Sequence, residues 1–225
     1  IEARIYAENP EKGFLPSIGT LHYLHTPQAA SFTRDQAVRI DAGIRAGDAI
    51  SPYYDPMIAK LIVWGEDRVA ALKKMSQALS EYEIVGPATN IAFLSRLMQS
   101  KPFATADLDT GLIERHQDTL FPPHQPVPFA VLALACARLH HDERDHSSDD
   151  PWAQHHGWRM NLQTTRPLQF SDEAGMIELA WKYASDHGIL SSSDKKIKIS
   201  DVHAKTHEQD DAVEFDLVAD NIKVL

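Results

Sequence analysis

The chain is short of cysteine, of basic residues and of long apolar runs, and each shortage closes off a class of protein. A single cysteine, Cys136, cannot form an internal disulfide, which fits a reducing compartment. The 22 lysines and arginines are outnumbered by 32 aspartates and glutamates, giving a net charge of -10, so a nucleic-acid backbone or an anionic membrane is repelled on average. The longest apolar run, around Phe129 to Leu139, falls well short of the roughly 20 residues that a membrane-crossing helix needs. What is present is an ordinary globular composition, 43% apolar and 24% charged in 225 residues, enough for one large domain or two smaller ones.

The opening residues carry the most informative pattern. Ile1, Ala3, Ile5 and Ala7 alternate with Glu2, Arg4, Tyr6 and Glu8, which predicts a strand with one apolar face. The other face sets an arginine between two carboxylates and beside a phenol, an arrangement better suited to holding an anion than to simply meeting water. Asn9-Pro10 ends the strand, because proline fixes φ and lacks a backbone N–H.

Further along, Thr20 to His25 predicts a second strand, with Leu21 and Tyr23 on one face. Ala37 to Ile44 predicts a third, Val38 and Ile40 inward, Arg39 and Asp41 outward on a solvated face. Met57 to Trp64 is almost continuously apolar, as in a strand buried on both faces. Glu66-Asp67 then opens a helix whose stripe is Val69, Leu72, Ser76 and Leu79, filled out by Ala71 and Met75. After Gly86-Pro87, Thr89 can cap a helix bearing Ile91, Leu94, Leu97 and Met98. Beyond Lys101-Pro102 a short helix is expected from Leu108 to His116. Strands followed by helices packed on one side predict an α+β layer.

Four prolines between Leu120 and Pro128 mark a boundary. Phe129 to His141 predicts a helix, Asp142 to Asp150 an acidic linker. From Trp152 onward short alternating runs at 158–162, 176–183, 195–203, 212–218 and 222–225 predict an antiparallel sheet or barrel. The expected organisation is therefore 1–119, an α+β domain; 120–151, a proline-rich linker, helix and acidic loop; and 152–225, a partial β-barrel. Strand patterns running up to both termini without a cap lead to the expectation that this is a fragment of a longer polypeptide.

Two long motifs, IEARIYAENPEKGFLPS and VRIDAGIRAGDAISPYYDPMIAKLIVWGEDR, resemble the C-terminal subdomain of biotin carboxylase, the ATP-grasp component of biotin-dependent carboxylases. TNIAFLSRL and FATADLDTGLIERHQ are similar to the biotin-containing α subunit of acyl-CoA carboxylases, most of all the methylcrotonyl-CoA type of leucine degradation. DPWAQHHGWRMN and the β-rich tail resemble the domain that docks such an α subunit onto its carboxyltransferase β subunit, where a helix precedes an antiparallel β-barrel. The resemblance implies a ligase that carboxylates biotin with bicarbonate at the expense of ATP, with biotin, ATP and Mg2+ as cofactors. It makes Arg4 the active-site cation, puts Tyr54 and Asp55 near the same pocket with Asp55 able to orient the arginine, and assigns Thr110 to the edge of the adenine pocket. No metal ligand is implied in this stretch. The implied partners are the carboxyltransferase β subunit and, from the same polypeptide, the N-terminal ATP-grasp part and the biotinyl domain. The implied location is bacterial cytoplasm or the mitochondrial matrix. A fragment lacking the ATP-grasp part and the biotinyl lysine is expected to be inactive alone.

Other readings of the same residues stay open. Apart from the resemblance, Arg4 reads as a salt-bridge partner of Glu2 or Glu8. The chain also reads as an assembly module without chemistry, or as part of a propionyl-CoA or geranyl-CoA carboxylase. Lys74-Met75 is not a biotinyl site, since Lys73 precedes it on a helix. His140-His141 and His155-His156 read as polar surface, because adjacent side chains point apart and no Cys/Asp cluster surrounds them. Cys136 reads as a buried structural thiol, and Trp152 and Trp158 as interface or core anchors.

Overall fold

The computed structural model describes residues 1–33, 36–142, 164–172, 175–183, 188–193, 196–207, 212–219 and 222–224. The expectations for 143–163, including His155-His156, Trp152, Trp158 and a strand at 158–162, lie outside them, as do the side chains of His140 and His141. The chain divides into two compact units, residues 1–123 and 124–225.

The first unit runs β1 (Glu2–Tyr6), β2 (Glu8–Asn9), a 3-10 turn (Pro10–Lys12), β3 (Leu15–Pro16), β4 (Gly19–Thr20), β5 (Tyr23–His25), β6 (Val38–Ala42), β7 (Ala49–Ile50), β8 (Met57–Val63), α1 (Arg68–Ser80), β9 (Glu83–Val85), α2 (Ile91–Gln99), α3 (Lys101–Ala104), α4 (Leu112–Arg115) and α5 (Gln117–Leu120). β8 lies between β1 and β6, antiparallel to both. The pairs β2–β3, β4–β7 and β5–β9 form short ribbons.

One face of the sheet is the core face. Ala3, Ile5, Ile40, Ala59, Leu61 and Val63 are buried together with Leu72, Met75 and Leu79 of α1 and with Phe93, Leu94 and Met98 of α2. Each large aliphatic side chain fully removed from water there contributes about 1.5–3 kcal/mol. Asp67 starts α1 by accepting the Ala70 N–H at 2.7 Å, satisfying one of the donors a helix start leaves open. Phe14 stands edge-on to Phe93 and Phe121 at 5.1 and 6.1 Å, tying the loop after the 3-10 turn to α2 and the end of α5.

Several expectations are corrected. β8 is not buried on both faces: Lys60 and Ile62 are only partly covered and Trp64 is exposed, since a three-stranded antiparallel sheet has helices on one side only. Thr20 to His25 is not one strand. The Leu21 N–H goes to Asp48 C=O and the His22 N–H to Val85 C=O, so the chain changes partners between β4 and β5. Gly86 permits that junction, because at φ 143° a Cβ would run into the Thr20 carbonyl. Val69 is exposed; the buried stripe of α1 is Ala71, Leu72, Met75, Ala78 and Leu79. The expected helix from Leu108 begins only at Leu112, after a turn in which Asp109 accepts the Gly111 N–H and pairs with Arg115 at 2.9 Å. A further short helix, α3, precedes that turn, with Pro102 in its first turn, where the missing N–H costs no hydrogen bond.

The second unit has α6 (Phe129–Asp142) followed by β10 (Thr165–Asp172), β11 (Gly175–Tyr183), β12 (Gly188–Ser191), β13 (Lys196–His207), β14 (Ala212–Ala219) and β15 (Ile222–Val224), an antiparallel meander in chain order. β10 and β12 were not anticipated. Pro167 hides β10 in the sequence, yet β10 is the first strand of the sheet, where a missing ladder donor is tolerated. Leu132, Ala133, Cys136 and Ala137 of α6 share a core with Leu179, Trp181 and Leu190. Gly188 is required by the close approach of the Trp181 ring. Burial pushes the Cys136 thiol up to about 12, far from a nucleophile's range.

Candidate active site

β1 positions the site through its register. Arg4 stands opposite Lys60, which stands opposite Asp41, and Glu2 stands opposite Ile62, which stands opposite Arg39. Since side chains alternate along each strand, these residues share the sheet face turned away from the core. A charged row thus lies on a rigid backbone whose other side is fixed by Ala3, Ile5 and Leu61.

Arg4 is the accessible cation of that row. Its Nε donates to Glu2 Oε1 at 3.3 Å and its side chain is 58% exposed. Glu2 above all, and then the Tyr6 phenol, raise the guanidinium above its ordinary pKa, so it stays charged at any working pH. An anion can reach this group without displacing packed side chains, and the planar fork suits a carboxylate, bicarbonate or enolate oxygen. Arg39 and Asp41 behave differently, and the solvated face expected for them is corrected. Their side chains are only 26% and 12% exposed. Arg39 Nε donates to Asp41 Oδ1 at 2.8 Å, Arg39 Nη2 to Oδ2, and the Phe32 N–H to Oδ1 at 3.0 Å. Arg39 chiefly holds the Asp41 carboxyl below the usual carboxylate range.

Asn90, unremarked in the sequence, is the residue that ties this site to the helices. It is buried, its Oδ1 accepts the Tyr6 N–H at 2.9 Å, and its Nδ2 donates to the Arg4 carbonyl at 3.1 Å and to Glu8 Oε1 at 3.2 Å. Burial pushes the Glu8 carboxyl up, the Asn90 hydrogen bond pulls it partly back, and the charge of Asp55 adds to the rise. Thr89, expected to cap α2, is replaced in that place by Asn90, which makes no side-chain capping bond.

The other anticipated residues are distributed as follows. Tyr54 is 85% exposed in the loop before β8. Asp55 lies beside it with Oδ1 accepting the Met57 N–H at 3.1 Å, and the carboxylate paired with Arg4 is Glu2. This loop adjoins the end of β1, because the Ala7 N–H donates to Pro56 C=O at 2.9 Å. Thr110 stands on a different loop, exposed, in the turn before α4. Among the described residues no group of three or more His, Cys, Asp or Glu side chains comes together to hold a metal, and no helix is long and apolar enough to cross a membrane.

An antiparallel sheet with helices on one face and an exposed arginine on the other defines an α+β subdomain. Residues 2–115 match the biotin carboxylase C-terminal domain, and the chain belongs to that family. It is 37% identical over 204 residues, 88% of its length, to the mitochondrial methylcrotonoyl-CoA carboxylase α subunit of Dictyostelium discoideum, of which it spans 28%. It is 42% identical over 144 residues, 61% of its length, to the mitochondrial propionyl-CoA carboxylase α chain of Caenorhabditis elegans, of which it spans 19%. Among solved structures it resembles the biotin carboxylase domain dimer of the Hydrogenobacter thermophilus 2-oxoglutarate carboxylase in complex with MgADP, ADP and bicarbonate, with a TM-score of 0.50 and 37% identity over 55% of this chain and 26% of that one.

Proposed function

We propose that this chain is part of the α subunit of an acyl-CoA carboxylase of the methylcrotonyl type, where it supplies the Arg4 wall of the ATP-dependent biotin carboxylase site. The observation that carries the reading is the exposed guanidinium of Arg4 on a strand rigidly backed by the core, in a chain of this family. Arg4 holds bicarbonate in a bidentate fork and stabilises the oxygen that becomes negative when biotin is deprotonated. Tyr54 and Asp55 border the same pocket and Thr110 borders the adenine. ATP, Mg2+ and biotin are held mainly by other parts of a longer polypeptide, its N-terminal ATP-grasp region and its biotinyl domain, so these residues alone are inactive. The longer match to the methylcrotonoyl than to the propionyl relative supports the choice of acyl-CoA, and the mitochondrial relatives support the mitochondrial matrix, or the cytoplasm if the source is bacterial. Arg4→Ala in the full-length protein removes most biotin carboxylation while leaving the fold intact; near-wild-type carboxylation by that variant refutes the assignment.

The α6-plus-meander unit favours a second, compatible role in assembly. In this reading residues 152–225 are a partial β-barrel that docks the carboxyltransferase β subunit, 120–151 connect, and 1–119 form the carboxylase subdomain. Capture of the full-length protein by a purified β subunit supports the role, and failure to bind when the whole second unit is present rejects it.

A further inference from the structure

Asn90 stands directly before α2, where an asparagine side chain ordinarily accepts a hydrogen bond from an N–H of the first helical turn, yet it makes none. Its amide is turned to β1 instead. Ile1 and Val63 exchange both backbone hydrogen bonds, at 2.8 and 2.9 Å. By the alternation of an antiparallel ladder, Ala3 and Ile5 then face β8, and the N–H and C=O of Glu2, Arg4 and Tyr6 point to the outer edge of the sheet. At that edge Asn90 takes the place of a neighbouring strand. Its Oδ1 accepts the Tyr6 N–H at 2.9 Å, its Nδ2 donates to the Arg4 C=O at 3.1 Å, and its own N–H donates to the Tyr6 C=O at 3.2 Å. A side-chain amide reproduces the donor and acceptor of a peptide, and it does so where the β1–β8 register shifts, between Ile5 and Tyr6. The same Nδ2 holds the Glu8 carboxylate at 3.2 Å, so one buried residue, 5% exposed, ties the chain from Arg4 in β1 to Glu8 in β2.

We propose that Asn90 is the positioning residue for Arg4: by closing the open edge of β1 on both sides of the register shift, it sets the direction in which the guanidinium leaves the sheet. The proposal rests on the reading of Arg4 as the active-site cation. The residue touches no reacting atom and acts only through the strand. Its function is therefore visible as coupling to Arg4, not as a separate loss.

In the full-length carboxylase, kcat and KM for bicarbonate and ATP are measured with free biotin as acceptor, per folded protein, for Arg4→Ala, Asn90→Ala, Asn90→Asp and Arg4→Ala/Asn90→Ala. Asn90→Asp keeps the size and the acceptor for the Tyr6 N–H and removes the donor to Arg4 and Glu8, so it decides the matter if Asn90→Ala does not fold. Each Asn90 variant is expected to lose about 10- to 100-fold in kcat with KM for ATP unchanged. In the Arg4→Ala background the Asn90 substitution is expected to add less than about twofold, since residues acting as a unit are not additive. Losses that multiply in the double variant overturn the proposal, as does wild-type kcat in a folded Asn90→Asp protein. A near-wild-type Arg4→Ala variant instead overturns the underlying assignment of Arg4, which that single substitution reports without reference to Asn90.

Discussion

The starts of α1 and α2 present the same chemistry put to opposite uses. Asp67 serves its own helix, accepting the Ala70 N–H at 2.7 Å, and Asn9 serves the 3-10 turn in the same way, accepting from Glu11 and Lys12 at 3.0 and 3.2 Å. Asn90 leaves α2 without a side-chain cap and bonds to the strand that carries Arg4. A residue that departs from its local role marks what the fold must hold in place, because natural sequences are locally consistent except where structure or function demands otherwise.

The contrast can be broken by substitution. Asn90→Ala leaves a part-buried N–H and C=O of β1 without their partner and is expected to lower stability by about 1–3 kcal/mol in urea unfolding, together with the loss of turnover described above. Asp67→Ala removes one cap and is expected to cost about 1 kcal/mol with kcat unchanged; a comparable catalytic loss there shows that any damaged helix start disturbs the site and that Asn90 is not special. The smallest effect concerns Asp41 on the same sheet face. Arg39 depresses its pKa from the ordinary 3.8, so the pair contributes stability above that value and loses it as pH falls through the folded-state pKa. Asp41→Asn is therefore expected to be less stable than wild type near neutrality, with the gap closing in acid below about pH 4, and a gap independent of pH rejects the ion pair as its cause.

The faces of β1 were legible because strict alternation translates directly into inside and outside: Ala3, Ile5 and Ala7 are buried and Glu2 and Arg4 exposed. α6 was legible for a similar reason, a long apolar segment with one structural solution. What escaped depends on partners distant in sequence. Nothing local at Leu21-His22 tells that two successive N–H groups go to Asp48 and Val85. Val69 lies about 120° round the helix from Met75, the middle of the buried stripe, and so turns to solvent. Pro167 obscures β10, although the edge strand it occupies is a place where proline is harmless. Asn90 escaped most completely. Before a helix an asparagine reads as a cap, and its partners at Arg4 and Tyr6 are more than 80 residues away. The one available signal was its place in TNIAFLSRL, the segment that resembles the carboxylase family.

The central claim is that Arg4 acts through its guanidinium fork and not merely as a positive charge. Arg4→Lys keeps the charge and loses the planar pair of donors. Measured in the full-length protein as biotin carboxylation per folded molecule, Arg4→Lys and Arg4→Ala are both expected to fall by about 100-fold or more in kcat, with unfolding midpoints close to wild type because the side chain is more than half exposed. A lysine variant that turns over like wild type contradicts the bidentate role, and an alanine variant that does so contradicts the account as a whole.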